Sequence, residues 1–106
     1  MSSIQTFKYK RKKITVIFWN VKVWFNAKEL YDILGYKKEF NRFMGLLREE
    51  NIFSKSRITL ISENGLYIFT YHKALKPKQR EKAQELFDWF EKEIKPVFDE
   101  YIKSWL

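Results

Sequence analysis

A chain of 106 residues carrying 21 Lys and Arg against 13 Asp and Glu has a formal charge of +8, and that length holds one small core and no second independent domain. Hydrophobic residues at 45% and aromatics at 19% exclude a disordered basic tail. The lack of cysteine excludes a disulfide framework, a thiolate metal site and a cysteine nucleophile.

The charge is uneven along the chain. Residues 1–60 hold 13 basic and 5 acidic side chains, whereas residues 61–106 hold 8 of each. A basic surface attracts phosphate and releases its counterions, so a polyanion-facing surface is expected mainly from the first part, with the second as scaffold or protein contact. No apolar run approaches the ~20 residues that span a bilayer, and the start lacks a basic segment followed by an apolar one. The expectation is a soluble, cytoplasmic protein with no membrane contact and no cofactor.

In chain order, Ile4 to Tyr9 alternates, Lys10-Arg11-Lys12-Lys13 interrupts, and Ile14 to Trp19 resumes, which predicts two strands around a basic turn. Asn20 breaks the pattern before a third strand, Val21 to Phe25. Asn26 suits the N-cap of a helix over Ala27 to Leu34 with Gly35 just beyond it. Phe40, Phe43, Met44 and Leu47 predict a second helix from Glu39 to Glu50, giving a helix-turn-helix-like pair. Ile58 to Ser62 and Leu66 to Tyr71 read as strands joined at Asn64-Gly65, a dipeptide suited to a type I′ hairpin turn. Ala83, Leu86, Phe87, Phe90 and Ile94 form a helical stripe, and Pro96 sets off a separate or kinked helix from Val97. The fold class expected is α+β: a small antiparallel sheet of hairpins, an αα insert and C-terminal helices, in one domain over 1–106.

Four segments, Trp24-Phe25-Asn26-Ala27-Lys28-Glu29-Leu30, Ile33-Leu34-Gly35-Tyr36, Ser62-Glu63-Asn64-Gly65-Leu66-Tyr67 and Trp89-Phe90-Glu91-Lys92-Glu93-Ile94-Lys95-Pro96, occur in an order that resembles the Bro-N domain. That is the N-terminal domain of phage antirepressors and baculovirus repeated-ORF proteins, and the resemblance runs from Phe7 to Phe98. It implies a small nucleic-acid-binding module of a virus, prophage or other mobile element, acting as an antirepressor-type transcription regulator on duplex DNA in the host cytoplasm. Glu29 stands where the family usually has Asp, Lys95 where it has Leu before Pro, and larger members carry a second, C-terminal domain.

The candidate nucleic-acid-binding residues fall in three groups. Lys8, Lys10, Arg11, Lys12 and Lys13 sit at the first hairpin and suit phosphate contact, or else a solvated turn that protects a strand edge. Lys37, Lys38, Asn41 and Arg42 would begin the second helix of the αα pair, Arg suiting guanine and Asn adenine; Tyr31 is bulky for a tight helix crossing, and a structural helix pair is the other reading. Arg48, Lys55 and Arg57 extend the same basic character. Trp19, Trp24, Phe25, Tyr67, Phe69 and Tyr71 would stack single-stranded bases if they lay on an exposed sheet face, and are core otherwise. Trp89, Phe98, Tyr101 and Trp105 make the C-terminal helices apolar enough for a homodimer or a host-protein contact, or for packing across the sheet. A protein-interaction module that inhibits a host regulator or defence protein is thus the rival class.

Catalysis has little support. Gly65-Leu66-Tyr67-Ile68 matches only the first half of a GIY-YIG nuclease signature. Glu29 and Asp32, three apart on one helix, suit either a metal or, more commonly, a plain surface carboxylate pair, and His72 has no nucleophile partner in a recognisable motif. No metal site and no enzyme activity are expected.

Overall fold

Side-chain alternation in the first part of the chain builds a meander. In the computed structural model, which describes residues 2–55 and 57–104, β1 (Ser3–Tyr9), β2 (Lys12–Trp19) and β3 (Lys22–Asn26) pair antiparallel in sequence order. Both connections are two-residue turns whose central residues all have positive φ: Lys10 and Arg11 at 48° and 69°, Asn20 and Val21 at 54° and 56°. This turn geometry matches the twist of the strands and favours Asn or Gly. A β-branched valine there is strained.

Asn26 ends β3 and starts α1 (Ala27–Leu34), its Oδ1 accepting the Glu29 N–H at 3.1 Å, and Gly35 closes the helix at φ 67°. The Glu29 carboxylate turns back to accept the Thr15 N–H at 2.6 Å and its hydroxyl at 3.1 Å. It thereby satisfies β2 just past the last β2–β3 pair, Val16 with Phe25.

The second helix is shorter than expected. α2 spans only Phe40–Met44, and the chain leaves it through Gly45, a weak helix former, and a 3-10 turn at Glu49–Asn51. It then enters β4 (Ile52–Lys55), a strand the sequence reading did not foresee. β5 (Ile58–Ser62) forms as expected, but it pairs with β4 and β3 rather than with residues 66–71.

The hairpin expected at Asn64-Gly65 is therefore a correction: residues Glu63–Phe69 form α3. Ser62 Oγ accepts the Gly65 N–H at 3.1 Å as the helix cap and donates to Asn51 Oδ1 at 2.8 Å. Gly65 answers to space, not to a turn. A Cβ there would lie 2.6 Å from Ile61 Cγ2 and 3.1 Å from Leu47 Cδ1.

α4 (Pro77–Trp89) opens with proline at its first position, where the missing N–H costs nothing. The chain runs on through a π-helical segment, Phe90–Ile94, into α5 (Lys95–Lys103). Pro96 cannot donate to the preceding turn, and the widened Lys95 N–H to Phe90 O bond absorbs the defect without a break.

The result is a mixed α+β fold, an antiparallel sheet in the order β1-β2-β3-β5-β4 with helices against one face. Directly paired residues share a face. Val16 with Phe25, Phe18 with Val23, and Phe25 with Ile61 thus point toward the helices. Phe18 meets Phe98 and Tyr101 edge-on at 5.2 and 5.3 Å, Phe25 meets Phe90 at 5.6 Å, and Trp89 packs on Phe7 and Tyr9 at 6.2 and 5.1 Å. Trp89, Phe98 and Tyr101 are accordingly half-buried against the sheet. Trp105 and Leu106 lie outside the described residues. Among the described residues no helix is long and apolar enough to cross a membrane.

Candidate nucleic-acid interface

The basic turn between β1 and β2 does not stand alone in solvent. Lys10 forms an ion pair with Glu85 of α4, which also takes a hydrogen bond from Tyr9. That contact holds the Lys10 ammonium above its ordinary pKa and the Glu85 carboxyl below its own. Burial, followed by the charge of Glu85, pushes the Tyr9 phenol up. Tyr9, Lys10, Lys12, Ile33, Lys82 and Glu85 line a depression of ≈ 210 Å³ beside the turn. Arg11 and Lys13 are exposed at the same tip.

A second depression opens where α1 hands over to α2, lined by Tyr36, Lys37, Lys38, Ala74, Lys76 and Gln79. One contact joins the two. Gln79 Nε2 donates to the Gly35 carbonyl at 3.1 Å, and Lys82 Nζ lies 3.5 Å from where a Gly35 side chain would begin. The first turns of α4 therefore cross the end of α1 and bring Lys76 and Lys82 between the hairpin tip and the α1–α2 connection. Among the described residues, six lysines from three separate parts of the chain form one strip, with Glu85 the only carboxylate lining it. Arg80 is not part of it, since its guanidinium holds the Leu75 carbonyl in the turn that precedes α4.

Asn41 and Arg42 are exposed on α2. That helix is too short to be the recognition helix expected of a helix-turn-helix pair. It is pinned instead by rings: Tyr31 packs on Phe40 and Phe43 at 5.3 and 5.4 Å and donates its hydroxyl to the Lys38 carbonyl at 2.6 Å. Tyr31 is thus the anchor of the connection rather than an obstacle to it. Arg48 is exposed beyond α2, Lys55 ends β4, and Arg57 lies in the β4–β5 turn.

The sheet face opposite the helices carries Thr6 and Lys8 from β1, Lys13, Ile17 and Trp19 from β2, Lys22 and Trp24 from β3, and Phe53 and Lys55 from β4. Trp19, Trp24 and Phe53 make ring contacts with one another at 4.6 to 6.3 Å. Trp24 is buried but lies outside the main core, donating its indole N–H to the Trp19 carbonyl at 3.1 Å. β2 and β4 are three strand spacings apart, about 14 Å on a flat sheet. Yet Trp19 and Phe53 touch, so the sheet curls and their long side chains bridge its concave face. A cleft of ≈ 330 Å³ opens there, lined by Ser2, Ile17, Trp19, Phe53, Lys55 and Ile58. Of the six aromatic residues considered for stacking, Trp19 and Trp24 are on this face. Phe25 is core, and Tyr67 and Phe69 belong to α3 with Tyr71 just after it.

The remaining candidates have structural duties. Glu29 holds Thr15, Asp32 lies 3.5 Å from Lys28 Nζ, and His72 Nδ1 accepts the Ala74 N–H at 3.0 Å in a turn. Among the described residues no three His, Asp or Glu side chains gather as metal ligands would. Lys76, Lys82 and Phe53 are the residues that sequence reasoning missed. Comparison with family models, curated proteins and solved structures found no match, so the Bro-N resemblance rests on its sequence segments.

Proposed function

We propose that this protein binds nucleic acid, duplex DNA first, by laying the phosphate backbone along the lysine strip that runs from the β1–β2 turn across α4 to the α1–α2 connection. The observation that carries this reading is the strip itself: Lys10, Lys12, Lys37, Lys38, Lys76 and Lys82 converge from distant sequence positions onto two adjoining depressions. Lysines brought together at a surface repel one another, and a polyanion relieves that repulsion while releasing its counterions. Arg11 and Lys13 at the tip add to the field. Asn41 and Arg42, exposed beside Lys37 and Lys38, are the side chains suited to base edges. A regulatory role of the antirepressor type, which the Bro-N resemblance implies, works through this binding.

Fluorescence-anisotropy titration with a random duplex at about 50 and 200 mM salt tests the reading, because phosphate-dependent binding falls steeply over that range. Micromolar or tighter binding that collapses at the higher salt, and that weakens in Lys37→Ala, Lys76→Ala and Lys82→Ala alike, is the expected result. No binding at the lower salt refutes it.

A further inference from the structure

The five strands hold Lys8, Lys12, Lys13, Lys22 and Lys55 and not one carboxylate. Four of those lysines, all but Lys12, stand at positions on the face that the helices leave uncovered. The same face carries the Trp19–Trp24–Phe53 cluster, with Trp19 and Phe53 only half-buried and Ile58 54% exposed. A sheet face so apolar is normally covered. Here it is concave, and its rim is cationic.

We infer that this cleft receives an unpaired nucleobase stacked on the Trp19–Phe53 pair, so that the preferred ligand is a duplex with a single-stranded tail or loop. The inference rests on the nucleic-acid reading above and names the ligand more closely. Three observations support it over an apolar protein segment. The rings are aromatic, and every base offers a π-face to them without regard to sequence. The charged side chains that the strands themselves place on this face are all cations, with Lys55 lining the cleft and Lys22 Nζ 5.9 Å from the Trp24 ring centroid, while the Glu29 carboxylate of α1 is held on Thr15; the lysines suit a phosphate on either side of the base. Finally, the cleft volume of ≈ 330 Å³ falls at the small end of ligand sites, about 300–1,000 Å³, as one base requires.

The β1–β2 hairpin supplies the route between the two surfaces. Lys8 and Lys13 are direct partners across it on the open face, while Lys12, two residues past the turn's first lysine, lines the depression next to Lys82. A strand leaving the lysine strip at the tip meets Lys8 and Lys13 next and then the concave face. Duplex DNA is too wide to follow it into a cleft of this size, whereas a single strand is not.

The test compares three probes by anisotropy at about 50 mM salt: a blunt duplex, the same duplex with a short oligo-dT tail, and oligo-dT alone. Proteins are the parent chain, Phe53→Ala, Phe53→Leu and Lys55→Ala, each checked by far-UV circular dichroism. Phe53→Leu keeps the cleft apolar while removing the ring, so it reads stacking even if Phe53→Ala unfolds. The tail is expected to tighten binding, and Phe53→Leu to weaken tailed and single-stranded probes by about 5- to 150-fold with blunt-duplex affinity unchanged. Equal binding of blunt and tailed duplexes, or tailed binding indifferent to Phe53, overturns the inference while leaving the duplex reading intact. Oligo-dT binding that depends on Phe53, without any blunt-duplex binding, upholds base stacking in the cleft but removes the duplex reading and overturns the tailed duplex as the preferred ligand. Silence of all three probes overturns both.

Discussion

Replacing Glu85 by Gln isolates the electrostatics of the lysine strip. Among the described residues Glu85 is the one carboxylate that lines it, and its partners are Lys10 and Tyr9. Glutamine keeps the shape and a hydrogen-bonding oxygen but frees the Lys10 ammonium for phosphate. With Lys10 occupied, five of the six lysines are available. At about −0.9 per neutralised phosphate, the slope of log affinity against log salt is then about −4.5, and affinity falls roughly 500-fold between 50 and 200 mM. Freeing Lys10 steepens the slope to about −5.4 and the fall to roughly 1,800-fold. The variant should bind a duplex more tightly than the parent, with an advantage about 3.5-fold larger at 50 than at 200 mM salt. Anisotropy titrations at four or more salt concentrations measure both slopes. Equal slopes, or weaker binding by Glu85→Gln, would refute the claim that the hairpin tip and α4 form one phosphate-binding track.

Three further outcomes concern the scaffold. Gly65→Ala forces a methyl group to within 2.6 Å of Ile61 Cγ2, and overpacking of this kind costs about 1–3 kcal/mol; chemical denaturation should show the loss, and an unchanged midpoint would mean that the α3–β5 contact is slack. Val21→Gly removes a β-branched side chain from φ 56°; relief of strain, about 1–2 kcal/mol, exceeds the entropy glycine adds to the unfolded chain, about 0.5–1 kcal/mol, so thermal melting should rise by a few degrees, and a fall would show that Val21 packs in a way that outweighs its backbone. Burial pushes the Glu63 carboxyl up against the opposing pull of its Val23 backbone hydrogen bond and Lys95. A raised folded pKa contributes stability below the usual carboxylate range, about pH 4, and loses it as pH climbs through the folded value. Glu63→Gln should therefore match the parent near pH 4 and melt higher at pH 7, and a parent that gains on the variant as pH rises would contradict this.

Much of the architecture was legible in the residues. Alternation in β1 and β2, Asn26 as a cap and Gly35 as a stop are local signals that tertiary packing had no reason to override. Asn64-Gly65 misled because its backbone preference is real, yet Ser62 as a helix cap with Glu63 in the first turn competed with it, and the space between Ile61 and Leu47 decided the outcome. β4 has four residues and no alternation long enough to see. The lysine strip was half visible. A net charge of zero over residues 61–106 conceals that Lys73, Lys76, Lys78, Arg80 and Lys82 fall in its first part, against Glu63 and Glu81, while the other six acids follow from Glu85 onward. The meeting of Trp19 with Phe53 could not be read at all, since it depends on which strand is inserted next to which.

That insertion sets an order of assembly. The β1–β2 and β2–β3 pairings close loops of two residues, but β3 cannot meet β5 until Asn26 reaches Leu60 across the intervening 33 residues. Closing that loop costs about 2.5 kcal/mol more than closing a two-residue one. The seam between β3 and β5 is thus the costliest pairing in the sheet and the natural line along which it parts, with the β1–β3 meander able to persist when β4 and β5 detach. Amide hydrogen exchange is expected to be faster in β4 and β5 than in β2. The walls of the aromatic cleft stand on opposite sides of this seam, so the cleft exists only while the seam is closed, and whatever occupies it acts as a clasp on the whole sheet.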